Sequence, residues 1–115
     1  MTTEQIAERL VELVREGKNV QAEQELYSDD VLSYEQNPDW NKKGLEAVMA
    51  ATGGMGERIG EVHKMIVHDP KINNDTILLL IDMDITMKDG SRMTGIEYCF
   101  YKVAGGKIVE EYFYM

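Results

Sequence analysis

The chain carries a single cysteine, Cys99, so no internal disulfide can form and a reducing compartment suits it best. Its opening residues, Met1-Thr2-Thr3-Glu4-Gln5, lack the basic and apolar segments of a signal peptide, which makes a cytoplasmic location the expectation. No apolar run approaches the ~20 residues of a membrane-spanning helix. Cations are scarce: 12 lysines and arginines stand against 21 aspartates and glutamates, a formal charge of −9. Phosphate backbones and anionic bilayers need clustered lysine and arginine, so neither nucleic acid nor membrane is expected as a partner. The acidity is read as a source of solubility. Proline occurs only twice, and both mark interruptions: Pro38 pushes its predecessor out of helical geometry, and Asp69-Pro70 ends a strand.

What is present is organised around three runs rich in β-branched and aromatic residues, at 76–86, 93–101 and 108–115. Asp89-Gly90 and Gly105-Gly106 separate them, which predicts a three-stranded antiparallel meander with two-residue turns. Upstream, Thr2 caps a first helix with Gln5 at the capping-box position. Ile6, Leu10, Leu13 and Val14 recur there at helical spacing, and Gly17 stops it. Asn19 caps a shorter second helix on which Ala22 and Leu26 share a face, with Asp29-Asp30 as its end. Residues 31–36 predict a short strand and 37–41 a loop. A third helix starts near Gly44 with Leu45, Val48 and Met49 as its apolar stripe, and Gly53, Gly54, Gly56 and Gly60 interrupt it. These glycines do not form a phosphate loop: counted from Gly54, the GxGxxG pattern finds Ile59 in place of its third glycine, and no Gly-Lys-Ser/Thr follows. A flexible rim loop is the expectation instead. Residues 61–68 alternate as a further strand.

With this order of elements, "LYSDDVLSYE" at 26–35, "KKGLEAV" at 42–48 and "GKIVEEYFY" at 106–114, the chain resembles the nuclear-transport-factor-2-like superfamily in its SnoaL-like, polyketide-cyclase-like branch. The resemblance covers nearly the whole chain. It implies one domain over residues 1–115 with a conical α+β fold, a curved antiparallel sheet wrapped around N-terminal helices in the cystatin-like or nuclear-transport-factor-2-like manner, and a pocket at the open end. Ketosteroid isomerase, polyketide cyclases, dehydratases and binding proteins all use this fold, so it restricts function only loosely. In the isomerase and cyclase relatives a buried acid moves a proton beside a carbonyl. The implied ligand is a small hydrophobic molecule. The implied function is a cofactor-independent isomerase, cyclase or hydratase acting on a hydrophobic carbonyl compound, or else a non-catalytic ligand-binding or dimeric interaction module.

Two-residue turns would place Asp82 opposite Glu97 and Glu97 opposite Tyr114. Cys99 would lie between Leu80 and Tyr112, and Tyr101 between Leu78 and Glu110. With Asp84 these residues form one sheet face, and the resemblance favours that face as the concave, pocket side. The opposite face, with Leu79, Ile81, Met83, Ile85, Ile96, Tyr98, Phe100, Phe113 and Met115, is apolar almost throughout. Neither face is polar enough to be merely solvated, so a homodimer is expected. Opposed carboxylates repel, and in a poorly solvated site one keeps its proton near neutral pH. Asp82, Glu97 and Glu35 are therefore the candidate general acids and bases, with Tyr114 or Tyr112 polarising a carbonyl oxygen. Tyr34, Trp40, His63, Asp84, Cys99, Tyr101 and Tyr112 complete the candidate lining. The alternative is a solvated carboxylate ladder at the sheet rim, with His63 as an ordinary hydrogen-bonded strand residue. Asp82, Asp84 and His63 lack a second histidine, so no metal is expected. Cys99 has nothing basic beside it and reads as a small buried hydrophobe.

Overall fold

The computed structural model describes all 115 residues. Helix α1 spans Thr3–Arg15 and begins with the expected capping box: Thr2 Oγ1 accepts from Gln5 N at 3.1 Å, and Gln5 Oε1 accepts from Thr2 N at 2.9 Å. Its stripe of Ile6, Ala7, Leu10, Val11 and Leu13 is buried, and Gly17, at φ +73°, turns the chain out of the helix. Helix α2, Asn19–Leu26, passes directly into strand β1, Tyr27–Tyr34. The strand thus starts four residues before its expected position, and Asp29 and Asp30 are exposed residues within it rather than a helix end. After a 3-10 turn at Pro38–Trp40, the two-residue strand β2, Lys42–Lys43, pairs with β1.

Helix α3, Leu45–Arg58, runs unbroken through Gly53, Gly54 and Gly56, where the sequence had predicted interruption. Glycine lowers helix stability by about 1 kcal/mol per residue without forbidding the conformation. The remaining strands are β3 (Ile59–Val67), β4 (Lys71–Asn73), β5 (Thr76–Met87), β6 (Arg92–Ala104) and β7 (Lys107–Tyr114). They form a sheet in the order β2-β1-β7-β6-β5-β3, with β4 also on β5. Only β1 and β7 run parallel. The sheet does not close on itself. Helix α1 packs against β3, β4 and β5, while α2 and α3 pack against each other and β1. Ile6, Leu10, Leu13 and Leu26 meet Ile77, Leu79 and Ile108 in one continuous core.

The meander exists, but its register differs from the expected one by one residue on both sides of β6. Between β5 and β6 the loop holds three residues, Lys88, Asp89 and Gly90, with Gly90 at φ +91° and Met87 N donating to Ser91 O at 2.8 Å. Asp82 therefore faces Ile96, and Glu97 faces Ile81. Between β6 and β7 the two-residue turn is as expected, with Ala104 opposite Lys107, but a bulge follows between Lys102 and Val103. It moves Cys99 opposite Phe113 and Tyr101 opposite Glu111. Because side chains alternate along a strand, each one-residue slip exchanges the faces of the neighbouring strand. The inner face, covered by the helices, carries Ile77, Leu79, Ile81, Met83 and Ile85 with Glu97, Cys99, Tyr101 and Glu111. Asp82, Asp84, Ile96, Tyr98, Phe100, Tyr112 and Tyr114 belong to the outer face.

Candidate functional site

The inner face brings buried carboxyl groups together from separate elements. Glu111 on β7 is 2% exposed. Parallel pairing sets Ser33 of β1 beside it, and Ser33 Oγ donates to Glu111 Oε2 at 2.7 Å. Tyr27, at the start of β1, donates its hydroxyl to Glu111 Oε1. Burial is the largest influence on this carboxyl and raises it to about 7, against the pull of its two donors. A nearby Glu35 charge pushes in the same direction as burial, and Lys42 opposes it.

Glu35 is the residue that follows β1, where Tyr34 pairs with Tyr112. Its backbone N–H donates to Asn41 Oδ1 at 2.8 Å, and partial burial raises its carboxyl. Glu97, on β6, is raised mainly by burial and further by Glu35, against a weak bond from Cys99 Sγ to its Oε1 at 3.5 Å. Deeper in, Glu23 projects from α2. Thr52 Oγ1 of α3 donates to Glu23 Oε2 at 2.6 Å, and burial with an added push from Glu111 raises this carboxyl to about 7. The buried Glu23 and Glu111 and the half-buried Glu35 and Glu97 thus form an acidic row. Burial also pushes the Tyr101 hydroxyl and the Cys99 thiol upward, so both stay neutral and Cys99 is no nucleophile.

Of the residues expected from the sequence, Glu35, Glu97, Cys99 and Tyr101 lie with this row. Asp82, Asp84, Tyr34, Tyr112, Tyr114 and His63 do not. Asp82 Oδ1 meets Lys64 Nζ at 3.3 Å, and Asp84 takes two bonds from Arg92 at 2.8 and 2.7 Å. The Tyr34 and Tyr112 rings stack with centroids 4.7 Å apart, and the Tyr112 hydroxyl donates to Glu110 at 2.9 Å. His63 Nε2 lies 2.7 Å from Thr86 Oγ1 near the edge of the sheet. Trp40 is exposed on the 3-10 turn. The opposed pair Asp82–Glu97 does not exist, since the two residues point to opposite faces.

Sequence reasoning missed Glu111, Glu23, Tyr27, Ser33 and Thr52. A signal existed for Glu23, which neighbours Ala22 and precedes Leu26 by three positions, so it belongs to the buried side of α2. For Glu111 the signal was ambiguous, because Glu110 and Glu111 straddle the two faces and only the bulge decides which one enters.

No three His, Cys, Asp or Glu side chains converge as metal ligands would. Two surface grooves lie away from the acidic row. One, of about 440 Å3, runs between α1 and the β3–β4 turn beside Arg15 and Asp69. The other, of about 550 Å3, is flanked by Phe100, Lys102, Glu110, Tyr112 and Tyr114. The arrangement in the interior can hold and release protons near neutral pH at groups screened from water. No helix is long and apolar enough to cross a membrane.

The SnoaL-like domain family matches residues 1–115. A proposed SnoaL-like polyketide cyclase from Mesorhizobium loti, also labelled a carbohydrate phosphatase, is 36% identical to this chain over 100% of both chains, with a TM-score of 0.90. A nuclear-transport-factor-2-like protein from Burkholderia thailandensis is 14% identical, with 99% of this chain and 90% of that chain covered and a TM-score of 0.81. A proposed SnoaL-like polyketide cyclase from Jannaschia shares 11% identity over 97% of this chain and 83% of that chain, with a TM-score of 0.80. The last two share the fold. No curated protein matches the sequence. A family match over the full length and a full-length relative above 30% identity agree with the α+β cone described above: the chain belongs to the SnoaL-like domain family.

Proposed function

We propose that this chain is a cofactor-independent enzyme of the isomerase, cyclase or hydratase kind, moving a proton on a small hydrophobic carbonyl compound. The observation that carries this reading is Glu97: an inward carboxyl raised by burial, whose side-chain hydrogen bond is a weak thiol contact. Such a group holds its proton to a higher pH than an ordinary glutamate does and is free to exchange it. Glu35, less buried and just past the end of β1, relays the proton outward. Glu111 has both oxygens occupied by Tyr27 and Ser33, so its role is to set the local field. The polyketide-cyclase assignment proposed for the Mesorhizobium loti relative is of the same chemical kind. Asp82 and Tyr114 belong to the outer face and take no part.

A homodimer through the outer face accompanies this reading. With the inner face covered by the chain's own helices, Ile96, Tyr98 and Tyr114 remain exposed. Around them, Lys64–Asp82 and Arg92–Asp84 supply both signs of charge. A surface that carries both signs is complementary to a second copy of itself, as a two-fold interface requires.

The test is proton exchange in D2O. Small cyclic ketones incubated with the protein should gain deuterium beside the carbonyl, as followed by proton NMR. Glu97→Gln should slow that exchange by about 10²–10⁴-fold while leaving the melting temperature within a few degrees. Ketones that raise the melting temperature without exchanging would identify a binding protein instead, a role favoured by the closed hydrogen bonding of Glu111. Absence of both effects contradicts the proposal.

A further inference from the structure

The seam between α2 and α3 holds a group that proton transfer at Glu97 leaves unused. Glu23 is 6% exposed, and Thr52 satisfies its Oε2, but its Oε1 is buried without any hydrogen-bond partner. Buried polar oxygens almost always have a donor, and leaving one bare is costly. The chain supplies none here. Thr52 is already engaged with the other oxygen, and the Tyr27 and Ser33 hydroxyls are engaged with Glu111. The field of Glu111 reaches Glu23, so the bare oxygen belongs to the same acidic row.

The groups around this row are short of positive charge. Helix α2 contributes Glu23 and α3 contributes Thr52; β1 contributes Tyr27 and Ser33, with Glu35 beyond its end; β6 contributes Glu97, Cys99 and Tyr101; β7 contributes Glu111. The cation whose charge acts on Glu35 and Glu111 is Lys42 of β2. Acceptors exceed donors, and acidic groups exceed basic ones.

We propose that this interior selects an apolar molecule bearing a protonated amine, whose N–H bonds Glu23 Oε1 and whose charge the acidic row balances. The inference rests on the proton-transfer reading and names its substrate class as an amine-bearing carbonyl compound. A carboxylate of equal size is excluded by repulsion from the row. Amine binding has a proton signature: a cation placed beside carboxyls that hold protons near neutral pH drives those protons off, so affinity must rise with pH.

Three size-matched probes test this by calorimetry in phosphate buffer: cyclohexylmethylamine, cyclohexyl methyl ketone and cyclohexanecarboxylate. The amine should bind at least about fivefold more tightly at pH 8 than at pH 6, and the carboxylate should not bind. Glu23→Gln should weaken the amine by about tenfold to a hundredfold, the loss of one hydrogen bond to a charged group, and should flatten its pH dependence. The wild-type pH comparison keeps the test decisive even where the variant folds poorly. Carboxylate affinity equal to that of the amine, an amine affinity flat or falling with pH, or silence of all three probes overturns the inference. If the ketone binds and exchanges deuterium while the amine does not bind, the inference fails and the proton-transfer reading stands. If the amine binds as described and no ketone exchanges, the reverse holds.

Discussion

A carboxyl withdrawn from water keeps its proton unless donors replace the lost solvation, and at Glu111 the two donors do not fully compensate. Tyr27 and Ser33 pull it down, yet burial holds it at about 7. The folded protein then binds a proton that the unfolded chain, at about 4.5, has released. The contribution of Glu111 to stability is therefore fully present below pH 4.5 and is lost as pH rises through about 7. Its size is on the order of 3 kcal/mol. Glu23 acts in the same sense and the same window. Glu25, drawn down to about 2 by Arg9, acts in the opposite sense, and its contribution is lost as pH falls from 4.5 through that value, well outside this window. Urea denaturation at pH 5 and pH 8 should show wild type losing stability over the interval, with Glu111→Gln losing clearly less. Equal losses in the two proteins would show that Glu111 does not titrate there.

At the scale of elements, local chemistry was legible where the chain reports it directly. The capping box at Thr2 and Gln5, the helical stripe from Ile6 to Leu13 and the β-rich runs all became the elements they predict. What was not legible was register, because it depended on one residue in a turn and one in a bulge. Asp89-Gly90 reads as a two-residue turn, yet Lys88 joins the loop and Gly90 takes the positive-φ position of a three-residue turn. The bulge near Val103 carries no sequence mark at all. The turn decides whether Glu97 faces Asp82 or Ile81, and the bulge decides whether Glu110 or Glu111 shares its face, so together they set the composition of the site. Glycine context was equally hidden. On α3, a Cβ at Gly56 would meet nothing within 4 Å, so Gly56→Ala should stabilise the protein by about 0.5–1 kcal/mol. At Gly60, two residues past the helix, a Cβ would lie 3.0 Å from Thr86 O and 3.3 Å from Met87, so Gly60→Ala should cost about 1–3 kcal/mol. Thermal melts of both variants check this, and a shift of the same sign in each would contradict it.

For the whole molecule, the two faces of the sheet differ: the inner face, under the helices, holds the acidic row, and the outer face is the one proposed to meet a second copy. Ile96, Tyr98 and Tyr114 are 43%, 44% and 48% exposed, a high share for apolar and aromatic side chains lying on one face. Phe100 packs edge-on to Tyr114 with centroids 6.2 Å apart, so a charge placed there would enter this aromatic cluster of the outer face. A stable dimer there would bury about 1,200–2,000 Å2 in total. Sedimentation should find a wild-type dimer at micromolar concentration and a monomer for Ile96→Asp or Phe100→Asp; a wild-type monomer would remove the dimer from the account. The inner face carries the central claim, that burial there raises its carboxyls above their ordinary range, Glu111 to about 7. Carbon-detected NMR titration of the glutamate side chains measures this directly. The account predicts that Glu111 titrates near 7, with Glu97 and Glu35 also above the ordinary 4.5. Side-chain titrations of all three at or below 4.5 would contradict it.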